Sequence, residues 1–113
     1  MIEKVILDYL SANLSCPVVM ERDGEIAPLV LIQKTGSGRE NRINSAMIVV
    51  QSYGETLYKA AELNSRIINI MSKMVELDGI YKSSLNSDYN FTNPETKEYR
   101  YQALFDINYL MEE

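Results

Sequence analysis

The chain has 113 residues, the length of a single domain. With 46% apolar and 24% charged residues it has the balance of a folded globular protein, which excludes disorder as the dominant state. A formal charge of −5, scattered basic residues and no histidine argue against general nucleic-acid binding, a histidine-based catalytic centre and a histidine-ligated metal.

A domain of this size buries roughly two-thirds of its unfolded surface and can hold a core without staples. Cys16 is alone, so no internal disulfide can form, and a reducing, intracellular setting is expected. Glu3 and Asp8 interrupt the first apolar stretch, so no signal peptide is expected there. No apolar run approaches the roughly 20 residues of a membrane span. The sequons Asn13-Leu14-Ser15 and Asn90-Phe91-Thr92 read as chance occurrences.

In chain order, residues 2–13 form an amphipathic helix: Ile2, Val5, Ile6, Tyr9 and Leu10 share one face, and Pro17 lies beyond its end. Val18-Val19-Met20 is a short strand, and residues 21–27, polar with Gly24, form a loop. Residues 28–35 form a strand whose run Leu29-Val30-Leu31-Ile32 predicts cover on both faces. Thr35-Gly36-Ser37-Gly38-Arg39-Glu40-Asn41-Arg42 reads as a turn-rich hairpin tip. The strand 43–53 follows, with Ile43, Met47 and Val49 on one face and Ala46, Ile48 and Val50 on the other. The short connection makes these two strands antiparallel neighbours.

After Gly54 a long helix is predicted over 55–77, its stripe including Leu57, Ala60, Ile67, Met71 and Met74, with Asp78-Gly79 as its stop. Glu62 and Arg66 are spaced for an ion pair on its exposed side. Residues 80–91 form a strand in which Tyr81, Ser83, Leu85, Ser87, Tyr89 and Phe91 share a face. Asn93-Pro94-Glu95 signals a turn. In residues 99–110, Tyr99, Tyr101, Ala103, Phe105, Ile107 and Tyr109 alternate with mostly polar positions, the half-buried strand pattern at its clearest. The whole is an α+β domain of order α-β-β-β-α-β-β: a mainly antiparallel sheet of about four to five strands with two helices on one face.

Chemistry is sparse. No histidine is present to activate Cys16 as a nucleophile, and one cysteine does not make a zinc site. Gly36-Ser37-Gly38 lacks both the phosphate-loop spacing and a following helix, and reads as a turn. Glu21, Asp23 and Glu25 lack the EF-hand pattern and read as a solvated loop. No catalytic residue, metal or cofactor is expected. Eight tyrosines in a chain of this length are unusual, and at strand positions they suit either half-buried packing or a protein interface.

Several segments together carry a family resemblance. They are the first helix, the strand Pro28-Leu29-Val30-Leu31-Ile32-Gln33-Lys34-Thr35-Gly36, the strand end Val49-Val50-Gln51-Ser52-Tyr53-Gly54, the helix start Glu55-Thr56-Leu57-Tyr58-Lys59-Ala60-Ala61-Glu62-Leu63, and Tyr99-Arg100-Tyr101-Gln102-Ala103-Leu104-Phe105-Asp106-Ile107. The chain resembles the tail terminator, or head–tail joining (minor tail), proteins of long-tailed bacteriophages and prophages. It departs from them in having Tyr53-Gly54 where Trp-Ala is common, and Asn44 or Ser45 where an Asp is common.

The resemblance implies a subunit that self-associates into a ring, a hexamer on the tail. That ring would cap the tail tube and meet the tail-tube protein and the head connector or stopper proteins. Assembly would take place in the bacterial cytoplasm, the subunit would end at the virion head–tail junction, and DNA would pass through without sequence-specific binding. A ring needs two unlike contact surfaces. Thr35, Gly36, Ser37, Gly38, Arg39, Glu40, Asn41 and Arg42, together with Tyr99 and Tyr101, are the expected interface residues. An acidic channel lining would let DNA slide without adhering. A ligand- or peptide-binding regulatory domain, or another neck protein, is the alternative reading.

Overall fold

A computed structural model describes residues 1–110 of the chain. Helix α1 (Ile2–Asn13) leads into strand β1 (Val18–Val19), then β2 (Leu29–Glu40), β3 (Ile43–Tyr53), helix α2 (Leu57–Ser72), β4 (Ile80–Asn90) and β5 (Arg100–Tyr109). The element order is the predicted one, and the fold is α+β. The five strands form one sheet in the order β1-β2-β3-β5-β4. All pairings are antiparallel except β1 with β2, which run parallel through Val18 and Val19 against Val30 and Leu31. Residues 20–28 carry the chain back so that β2 runs in the same direction as the two-residue β1.

Both helices lie on one face. Ile2, Ile6 and Leu10 of α1, with Ala60, Leu63, Ile67 and Met71 of α2, are buried against the sheet. The sheet answers with Val30 and Ile32, with Ala46, Ile48 and Val50, and with Ala103, Phe105 and Ile107. These are alternate positions on neighbouring strands, so strict period-two alternation places them on one face. Tyr9 ties α1 to α2 by donating its hydroxyl to the Ile70 carbonyl at 2.7 Å, and its burial pushes the phenol pKa up.

Helix α2 is shorter than predicted. Thr56 caps it by accepting a bond from the Lys59 N–H, and the helix ends at Ser72. A 3₁₀ turn, Met74–Glu76, then carries the chain to Gly79, whose φ of +84° suits glycine. The predicted Glu62–Arg66 ion pair does not form among the described residues; Lys59 pairs with Glu55 instead.

The face opposite the helices is not wholly open. Leu29, Val49 and Tyr53 are buried there. The segment 20–28 lies over part of it: Arg22 stacks on the Tyr53 ring at 4.7 Å and pairs with Glu98 at 2.7 Å. The carboxylate of Glu98 raises the Arg22 pKa. Arg100 adds to the stack, lying 4.6 Å above the Phe91 ring and donating to the Tyr53 hydroxyl. The loop read as merely solvated is thus anchored at Arg22. Its Ile26 remains 81% exposed.

The single-face reading of residues 80–91 does not hold. The register shifts between Ile80 and Lys82 and again between Leu85 and Ser87. Each shift is a bulge that inserts one residue, Tyr81 and then Asn86, and reverses the alternation. Ser83 therefore faces the helices, where its hydroxyl donates to the Met71 carbonyl at 2.7 Å. Tyr89 and Phe91 face the other way and meet edge to face with ring centres 5.9 Å apart.

Candidate functional site

The segment 35–42, predicted as a hairpin tip, is a strand arm with a much smaller tip. Strand β2 continues through Glu40, and Gly36 to Glu40 pair residue by residue with Met47 back to Ile43. Thr35 is a bulge at the base of this arm. The turn itself is Asn41-Arg42, with φ of +51° and +68°. Positive φ at both central residues is the type I′ geometry, whose twist matches that of the flanking strands. The glycines that looked like turn punctuation serve the pairing. A Cβ on Gly38 would lie 3.2 Å from the Ser45 hydroxyl across the ladder.

Every residue from Gln33 to Arg42 is exposed. Strand β1 covers β2 only at Val30 and Leu31, so among the described residues the outer edge of β2 from Gln33 to Glu40 has no strand beside it. Lys34, on the helix-bearing face, reaches Glu3 of α1 at 3.8 Å. Arg39 also lies on that face, and it makes no ion pair among the described residues.

Tyr99 and Tyr101 sit at the other end of the sheet. Tyr99 precedes β5 and accepts the Gly54 N–H on its carbonyl at 3.1 Å. Tyr101 pairs with Ser52 and Asn90 and points to the helix-bearing face, half-buried. The structure therefore gathers Thr35–Arg42 into one arm and does not bring the two tyrosines to it. The span from Asn44 to Ser52 on β3 separates the two groups by roughly 27 Å at about 3.4 Å per residue.

The strongly exposed aromatics lie elsewhere, at Tyr58, Tyr81 and Tyr89. Tyr89 accepts a hydrogen bond from Gln102, which in turn accepts from Gln51 at 2.7 Å. Next to it, Asp88 faces the helices and accepts from the Asn64 side chain at 2.8 Å. Tyr89 was named in the alternating face of residues 80–91, whereas Asp88 was not singled out by the pattern of the sequence. The bulge at Asn86, which decides where they point, leaves no compositional mark.

Other features offer little chemistry. A cleft of ≈190 Å³ runs between the end of α1 and the start of α2, lined in part by Cys16, Lys59 and Arg66. Burial pushes the Cys16 thiol pKa up, which makes it a poor nucleophile. Among the described residues no three Cys, Asp or Glu side chains are grouped as around a metal ion, and no helix is long and apolar enough to cross a membrane. Compared with known proteins, the chain matches no family model, and no curated protein is significantly similar to it.

Proposed function

We propose that the chain is a structural subunit of virion assembly, a tail terminator or head–tail joining protein that forms a ring capping the tail tube of a long-tailed phage. The observation that carries this reading is the disposition of its two ends. An exposed arm, Gln33–Arg42, projects at one end of the sheet, and an unlike surface containing Tyr99, Tyr101 and the anchored segment 20–28 lies at the other. Unlike surfaces at opposite ends are what head-to-tail contact requires, and head-to-tail contact is the way to close a ring. The order of segments along the chain supports the family assignment.

In this reading the partners are further copies of the chain, the tail-tube protein below and the connector or stopper proteins above. DNA passes through the ring without base-specific contact.

Light scattering coupled to size exclusion tests the proposal, with the chain alone at high concentration and then mixed with tail-tube protein. A discrete ring-sized species in either sample is the expected result. A chain that stays monomeric in both samples overturns the reading.

A further inference from the structure

The sheet has two free edges, and they complement each other. Counting along the order β2-β3-β5-β4 with every neighbour antiparallel, β2 and β4 run in opposite directions. The β4 edge of one copy laid beside the β2 edge of another therefore continues the sheet in the same antiparallel pattern. Bulges cut each edge into short regular stretches: on β2, Gly36–Glu40 lies beyond the bulge at Thr35, and on β4, Lys82–Leu85 and Ser87–Asn90 lie either side of the bulge at Asn86. Bulges and short edges normally prevent edge-to-edge association. Here they leave only short stretches able to pair and so restrict the register, and of the two on β4 only Ser87–Asn90 carries a carboxylate to meet the arm's guanidinium.

Resting on the proposed ring, we propose that Gly36–Glu40 of one copy pairs antiparallel with Ser87–Asn90 of the next. Directly opposed residues must share a face. Ser37 and Arg39 lie on the helix-bearing face, as do Asp88 and Asn90; Gly38, Glu40, Ser87 and Tyr89 lie on the other. Of the registers that respect this, one opposes all four residues of the β4 stretch: Ser37 with Asn90, Gly38 with Tyr89, Arg39 with Asp88, and Glu40 with Ser87. That register sets the arm's unpaired guanidinium against a carboxylate already oriented by Asn64. It also lays the exposed Tyr89 ring over a glycine, a pairing in which the aromatic covers the backbone that glycine leaves bare.

The same register fixes a stagger. Gly38 stands level with Ser45 of β3, and Tyr89 stands level with Gln51, so neighbouring copies slide by six residues. Six residues amount to about 20 Å along the strands, against about 19 Å across the four strand spacings of each copy. The ratio inclines the strands by about 45° to the assembly axis, the upper end of the tilt at which sheets close into barrels. The rest of the neighbour's β4, Ile80–Asn86, runs past the arm's tip and away from β1, which covers only the base of β2.

The test uses full chains in a Cys16→Ser background, one carrying Gly38→Cys and the other Tyr89→Cys. Mixed and mildly oxidised, they should form a disulfide between the two variants in preference to either same-variant disulfide. Arg39→Glu, in the exposed arm, should weaken association about fivefold per contact, and adding Asp88→Lys should recover it. If the parent chain assembles by light scattering yet the mixed disulfide does not exceed the same-variant products, the edge pairing is overturned and the ring reading stands. If no assembly is seen alone or with tail-tube protein, both are overturned.

Discussion

Gly54 shows how one side chain's absence shapes this molecule. It follows Tyr53 at the end of β3 and donates its N–H to the Tyr99 carbonyl, so it extends the ladder by one rung. The first turn of α2 is pressed against it: a Cβ built there would lie 2.3 Å from the Ala60 nitrogen and 2.8 Å from the Lys59 carbonyl carbon. Both obstacles are backbone and cannot rotate away, so a methyl group would have to push α2 off the sheet. Ala60 is itself fully buried at that contact. Gly54→Ala is expected to destabilise the fold by about 3 kcal/mol, at the high end of overpacking costs, read as a lowered urea midpoint with an unchanged slope. Gly36, whose Cβ would meet nothing within 4 Å, is the control and should tolerate alanine far better. Gly54 is therefore a packing requirement.

At the scale of elements, what could be read in advance depended on whether a residue's partner was implied by its own pattern. Strand β5 was legible because Ala103, Phe105, Ile107 and Tyr109 are buried on one face with no irregularity against β3. Helix α2 was legible from its buried stripe, Ala60 to Met71, though its last turn tightened to 3₁₀. The arm was not legible, because glycine and serine disfavour a strand locally and only the complementary run Ile43–Met47 supplies the pairing. Nor were the β4 bulges, which are set by β5 and leave no trace in composition. Of the residues named from the sequence, those of the arm are exposed together, while Tyr99 and Tyr101 belong to the far end. The arm's turn carries its own test. Arg42 sits at φ +68°, a region where a side chain is unfavourable and glycine is preferred after asparagine in a type I′ turn. Arg42→Gly should stabilise the hairpin by about 0.5–1 kcal/mol, after allowing for glycine's freer unfolded state. Slower amide exchange from Gly38 to Ser45, about two- to fivefold, with no change in the core strands, is the expected readout.

Over the whole molecule, stability is carried by parts other than the arm that the proposed ring would use. The core lies between the helices and the sheet; toward the arm it reaches Ala46 on β3, Tyr109 on β5 and Ile80 on β4. The arm beyond it, Gly38 to Ser45, contributes no buried residue. The molecule is also elongated, 45 Å by 24 Å by 23 Å, so its two ends are far enough apart to engage different neighbours at once. Replacing Arg39–Asn44 with Asn-Gly would close β2 and β3 by a two-residue turn just above the Gly38–Ser45 pair, the same kind of ladder pair as the Glu40–Ile43 pair beside the native turn. The shortened chain gives up one rung between β3 and β5, Asn44 with Tyr109, and with it the β3 neighbour of the core residue Tyr109, but it loses no core residue itself. Its thermal midpoint is expected to fall by only about 5 °C, as for a loss near 1 kcal/mol in a domain of this size. On the proposed ring, self-association should in contrast vanish, because the shortened arm loses Arg39 and Glu40 from one of the two unlike surfaces that a closed ring must present. Circular dichroism melting and light scattering on the same sample read the two effects separately. A shortened chain that still forms the parent's assembly would move the contact surface away from the arm and onto the body of the sheet.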